Sequence, residues 1–164
     1  MKIVALFARG EIGKSTTLKI FLQQLLEKNS ITAKNCKGNE IITSDRLKDE
    51  LKKENTRLLS ISGVNNYTVT FEIGKVKYGL TTRGDNYEAL EEDFKYFDDC
   101  GIVFCATRTK GGSVEFVESK SKDLIWVAKT YVSGKFSDPE KKLKLMNYTN
   151  EKQVEILMEI YNNI

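Results

Sequence analysis

Residues 3–8 (IVALFA) form an unbroken apolar run, short and partly β-branched or aromatic, as a strand covered on both faces requires. The turn ARGEIG separates it from Lys14–Lys28, where Leu18, Phe21, Leu22 and Leu25 recur at helical spacing and predict an amphipathic helix. Residues 29–43 show no clear period, and 35–40 (NCKGNE) read as loop. Thr43 or Ser44 is placed to cap DRLKDELKKEN, whose apolar face holds only Leu47 and Leu51; the pattern predicts a weak helix, at the surface or mobile.

Further on, Tyr67, Val69, Phe71 and Ile73 alternate with polar residues, and so do Val76, Tyr78 and Leu80. Gly74-Lys75 between them suits a two-residue type II′ turn, so 67–73 and 76–82 predict a hairpin with one of its strands at a sheet edge. Asp85 opens a helix carrying Tyr87, Leu90, Phe94 and Phe97 on one face, with Glu88 completing a capping-box pattern. Residues 101–106 (GIVFCA) predict a second buried strand, VEFVESK a short helix, and 124–132 a third strand. Residues 133–149 hold the only proline and read as connector. A last helix is expected from about Glu151, with Asn150 as cap, Gln153 as its reciprocal partner, and Val154, Leu157, Met158 and Tyr161 facing inward. Strands and helices alternate with no repeat and no linker between two cores. This predicts one domain over 1–164, a three-layer α/β sandwich around a mostly parallel sheet with one β-hairpin.

Composition narrows the chemistry. The 164 residues include no histidine, which excludes an imidazole base and any histidine metal site. The net charge of +3 is too small to indicate nucleic acid. Cys36, Cys100 and Cys105 are odd in number and lack CxxC spacing, so buried free thiols in a reducing compartment are expected. The first residues lack a signal-peptide cleavage site, and no apolar stretch is long enough to span a bilayer. The expected location is cytoplasmic.

One motif carries chemistry. Ala8-Arg9-Gly10-Glu11-Ile12-Gly13-Lys14-Ser15 fits the pattern G-x-x-x-x-G-K-[ST], with Ala8 at the usual first glycine. In such a loop, small residues let backbone N–H groups turn toward the phosphates of a nucleoside triphosphate. Lys14 then supplies a charge to the β- and γ-phosphates, Ser15 lends its hydroxyl to Mg²⁺, and the following helix aims its N-terminus at the anion. A buried strand before the motif and an amphipathic helix after it are the context this reading needs. ATP is the expected nucleotide, because no [NT]KxD guanine-recognition motif occurs.

Residues 9–17 also resemble the deviant Walker A loop of the partition, division-site-selection and nitrogenase iron-protein ATPases, with Gly10, Gly13, Lys14, Ser15 and Thr16 matching position by position. Arg9 stands where that family has its signature lysine, and Glu11 replaces a glycine. The resemblance implies a P-loop NTPase fold and a magnesium-dependent ATPase. It assigns nucleotide binding to Gly10, Glu11, Ile12, Gly13, Lys14, Ser15 and Thr16, and catalytic charge to Lys14 and Arg9. It also implies a nucleotide-sandwiched homodimer in which Arg9 reaches the partner's phosphates; pairing of Arg9 with Glu11, bracing its own loop, is the alternative. The family's acidic residue at the end of the next strand is absent, since Thr81 and Thr82 stand there.

Asp85, just past a strand end, is the best available acid for a water-mediated Mg²⁺ contact, with a helix N-cap as the alternative. Glu72 reads as a solvated hairpin residue. Arg83 and Arg108 follow strand ends and are candidates for phosphate contact, with a surface position as the alternative for Arg83. The loop 106–112, polar and glycine-rich after a buried strand, is a candidate lining of a ligand crevice. Lys141, Lys142 and Lys144 read as a solvated face. Three functions follow: an ATPase or ATP-dependent switch, a small-molecule or nucleotide kinase, or a nucleotide-binding module without turnover. No residue stands in place to position an attacking water.

Overall fold

The computed structural model describes residues 1–10, 13–36, 41–52, 66, 68–133 and 137–164. The first apolar run forms β1 (Lys2–Phe7), followed by α1 (Lys14–Lys28). Next come β2 (Thr32–Asn35), β3 (Ile41–Ile42), α2 (Ser44–Lys52), β4 (Thr68–Ile73) and β5 (Val76–Thr81). The chain continues through α3 (Tyr87–Phe94), β6 (Ile102–Thr107), α4 (Gly112–Lys120), β7 (Leu124–Ala128) and α5 (Pro139–Asn163). Among the described residues, seven strands form one sheet in the order β3-β2-β4-β5-β6-β1-β7.

The sheet is mixed rather than mostly parallel. β5, β6, β1 and β7 run parallel, whereas β4 pairs antiparallel with β5, and β2 with both β4 and β3. Neither hairpin strand is an edge, because β2 covers β4 and β6 covers β5; the edges are β3 and β7. Gly74 turns the hairpin at φ +63°.

Alternation along the central strands divides two apolar cores. Val4, Leu6, Phe104 and Ala106 face α1, α2 and α5, with Leu18, Phe21, Leu22, Leu47, Leu51, Val154 and Leu157 packed on them. Ile3, Ala5, Val103 and Cys105 face α3 and α4, meeting Leu90, Phe94, Phe116 and Val117. Helices therefore cover both faces, and the three-layer α/β arrangement holds.

Local departures have physical causes. α2 is anchored rather than loose, because Leu47 and Leu51 are both buried in the core beside α1. Residues 53–55 of its expected span lie outside the described residues. α5 begins at Pro139, not near Glu151, since Asp138 accepts from the Glu140 and Lys141 N–H groups and proline occupies the first turn. Asn150 and Gln153 are thus buried mid-helix residues, not a cap and its partner. α3 is capped by Asn86, whose Oδ1 accepts from Glu88 N–H at 2.8 Å, so Asp85 is not the cap. All three cysteines are buried free thiols, each pushed up to about 12 by burial. No helix among the described residues is long and apolar enough to cross a membrane.

Candidate functional site

The motif residues gather at the carboxyl edge of the parallel strands. Gly10 lies at φ +38° and Gly13 at φ +84°, the left-handed region that glycine enters without a Cβ penalty. Gly13 opens α1 and offers no side chain to cap it. α1 has no acidic residue in its first turn, whereas α2, α3, α4 and α5 carry Asp45, Glu88, Glu115 and Glu140 there. Its first N–H groups and its dipole accordingly favour an anion. Ser15 is half-buried and Thr16 exposed at this end, and Arg9 is exposed beside it. Glu11 and Ile12 lie outside the described residues.

Lys14 is nearly fully buried, at 4% exposure, yet its Nζ is densely paired. It donates to Gly10 O at 2.8 Å and Ala8 O at 3.4 Å, and lies 2.9 Å from Asp85 Oδ1. The ammonium is thus held at the mouth of its own loop by two carbonyls and one carboxylate. Asp85 also stands 3.9 Å from Arg108 Nε, and Arg108 is exposed. A cation–carboxylate–cation row therefore runs from the α1 N-terminus across the sheet edge to the loop after β6.

Gly84, not singled out in the sequence, and Asn150, expected there as a helix cap, shape this end of the sheet. A Cβ on Gly84 would lie 1.5 Å from Ala106 O, so only glycine lets the chain after β5 press against the end of β6 and deliver Asp85 to Lys14. Asn150 of α5 lies against the loop from the other side. Its Oδ1 would be 2.8 Å from a Cβ on Gly13 and accepts from Thr17 Oγ1 at 3.3 Å. The alternation of β5 and the capping signal before α5 gave no hint of either approach.

Arg83 takes no part in the row, and it is not a surface residue. Its Nη1 donates to the fully buried Asp93 at 2.7 Å and its Nη2 to Glu92 at 3.2 Å, so it braces α3 against the end of β5. Burial pushes the Asp93 carboxyl above the usual range, opposed by hydrogen bonds from Thr81 and Thr68 and by the charge of Arg83. Glu72 is exposed on β4 opposite Lys77.

Lys129, just beyond β7, is a further buried cation near the loop: its N–H donates to Phe7 O at 2.9 Å. Burial lowers its amine to about 8, and Nζ donates to Thr130 O at 2.6 Å. Thr107 Oγ1, at the end of β6, is buried without a hydrogen-bond partner among the described residues.

Beside Arg108 the loop after β6 borders a pocket of about 320 Å³, lined by Phe7, Arg108, Thr109, Val114 and Trp126. Phe7 and Trp126 meet edge to face, with ring centroids 5.7 Å apart. No family model matches the chain, and no curated protein or solved structure matches it.

Proposed function

We propose that this chain is a P-loop protein that binds Mg-ATP on residues 10–16 and works as an ATPase or an ATP-dependent switch. The observation that carries the reading is the position of Lys14 Nζ, held at the loop mouth by Gly10 O, Ala8 O and Asp85. A buried ammonium whose partners among the described residues are two neutral carbonyls and one partly exposed carboxylate is poised to exchange them for a more highly charged anion. The residues fit a triphosphate: positive-φ glycines, an uncapped helix N-terminus without acids, and a lysine directed into the same place.

Mg²⁺, when bound, would supply charge neutralisation at the phosphates. Ser15 would lend its hydroxyl to it, and Asp85 would hold one of its waters. When phosphate takes Lys14, Asp85 is released to that role. Lys14 neutralises charge developing on the γ-phosphate, while Asn150 and Gly13 keep the loop seated on α1. Titration with a fluorescent ATP analogue, with and without Mg²⁺, tests the reading, and phosphate release measures turnover. A protein that binds no ATP refutes it.

The pocket beside Arg108 favours a second reading, a small-molecule or nucleotide kinase with the same loop as donor site. ADP formation that requires an added acceptor distinguishes it from the switch.

A further inference from the structure

We propose that the pocket lined by Phe7, Arg108, Thr109, Val114 and Trp126 is an acceptor site for a nucleoside monophosphate. The proposal rests on the kinase reading above and names its substrate class. At about 320 Å³ the pocket falls in the size range of small-molecule sites. Its walls divide by chemistry. Phe7, Trp126 and Val114 give an apolar, partly aromatic surface suited to a planar ring, and Arg108 gives a guanidinium suited to a phosphate.

Its position selects an acceptor over the base of ATP itself. A P-loop lysine reaches the β- and γ-phosphates, while the backbone cradles the α- and β-phosphates. Arg108 joins the row through Asp85, which touches the tip of Lys14, so the pocket adjoins the γ-phosphate end of the donor site. The pocket also lies on the α4 side of the sheet, opposite α1 and α5: Phe7 continues the face of Ile3 and Ala5, and Trp126 packs on that core.

The chemistry of the chain points to an acceptor that is already ionised. There is no histidine, and Asp85, the carboxylate at this end of the donor site, is already engaged by Lys14 and Arg108. A monophosphate oxygen is anionic at neutral pH and has no proton to lose. That oxygen bonds to the γ-phosphorus, the bond from this phosphorus to the β–γ bridging oxygen breaks, and the electron pair departs with ADP. The products are ADP and a nucleoside diphosphate. Arg108, drawn from Asp85 onto the acceptor phosphate, offsets the repulsion between the two anions.

Trp126 is the chain's only tryptophan, so its fluorescence reports directly on the pocket. The four common ribonucleoside monophosphates and thymidine monophosphate are titrated against the full chain, with ribose 5-phosphate as the ring-free control. At least one monophosphate should change the Trp126 emission saturably and support ADP formation from ATP, and the control should do neither. Arg108→Gln, at an exposed position, should weaken that monophosphate roughly tenfold through loss of a charge-assisted contact. Val114→Phe, which fills the pocket, should abolish the response. A response to none of the five, an equal response to ribose 5-phosphate, or a response that ATP alone displaces overturns the proposal. A fluorescent ATP analogue titrated in parallel separates the two readings. ATP binding without monophosphate binding overturns this proposal alone, and monophosphate binding without ATP binding overturns the kinase reading with it.

Discussion

Lys14 Nζ lies 2.9 Å from Asp85 Oδ1, joining the first residue of α1 to the loop between β5 and α3 across the end of the sheet. The pair is held by backbone as much as by charge, because Gly84 brings Asp85 within reach and Gly10 O fixes the other side of the ammonium. An anion entering the loop has to displace Asp85 from Lys14, so the two residues should have opposite effects on ATP binding.

Lys14→Ala should weaken Mg-ATP binding by about tenfold to a hundredfold, the worth of one or two charge-assisted hydrogen bonds. Thermal unfolding of the ATP-free variant should stay cooperative, since the apolar contacts of α1 are made by Leu18, Phe21, Leu22 and Leu25. Parent-like affinity in a titration with a fluorescent analogue would remove the P-loop assignment.

Asp85→Asn removes the competing charge and leaves the α3 cap on Asn86 untouched. Affinity for metal-free ATP should rise severalfold, because Lys14 no longer has to leave a carboxylate. The further gain on adding Mg²⁺ should shrink, because the acid that holds a metal-bound water is gone. Unchanged binding in both conditions assigns Asp85 to neither role.

The part of the site written in consecutive residues was legible: Gly10, Gly13, Lys14 and Ser15 declare a loop between a buried strand and a helix. The part made by long-range approach was not. Gly84 and Asn150 act through contacts with Ala106 and Gly13, residues distant in sequence, and no periodicity encodes such contacts. The same division runs through the fold. β2 has only Ala33 as an apolar residue and exists because β4 supplies its ladder partners. The start of α5 was hidden by its exposed, lysine-rich first turns, although Asp138-Pro139 is a sound local start signal. Arg83 looked like the other strand-end arginine, Arg108, and only the packing of Asp93 against the end of β5 separates them.

Gly84→Ala is expected to be among the most damaging small substitutions in the chain. Its methyl would stand 1.5 Å from Ala106 O, a backbone atom that cannot swing aside. The loop must lift from β6, at a cost of about 1–3 kcal/mol as overpacking, and Asp85 must move with it. Urea denaturation should show the loss, and ATP affinity should shift in the direction expected for Asp85→Asn. Parent stability would mean that the chain does not approach β6 so closely.

Arg9 is exposed beside the loop, in the position that the resemblance assigns to a residue reaching a partner's phosphates. With a non-hydrolysable ATP analogue the parent should sediment as a dimer and Arg9→Ala as a monomer. Turnover in the variant should fall more than binding does, as a guanidinium supplied across a dimer would require. A parent that stays monomeric at saturating analogue removes this role from Arg9.

Stability in alkali should be set by the three buried thiols, joined above pH 10 by Tyr78, which burial also pushes up to about 12, against Lys129. A cysteine in the unfolded chain ionises near 9, while Cys36, Cys100 and Cys105 in the fold are held to about 12 by burial. Between these values the folded state holds more protons than the unfolded state, so each thiol makes stability fall as pH rises. Lys129 acts in the opposite sense: its amine loses its proton near 8 when folded and near 10.5 when unfolded, so its contribution grows with pH across that interval. Three groups outweigh one above pH 9, and the urea midpoint should fall steadily from there. Between 8 and 9 the lysine should hold the curve flat or raise it slightly. Lys129→Met removes the opposing group, so the variant should be more stable than the parent at pH 7 and decline more steeply above pH 9. Identical pH profiles for parent and variant would place the Lys129 amine in water rather than beneath the end of β7.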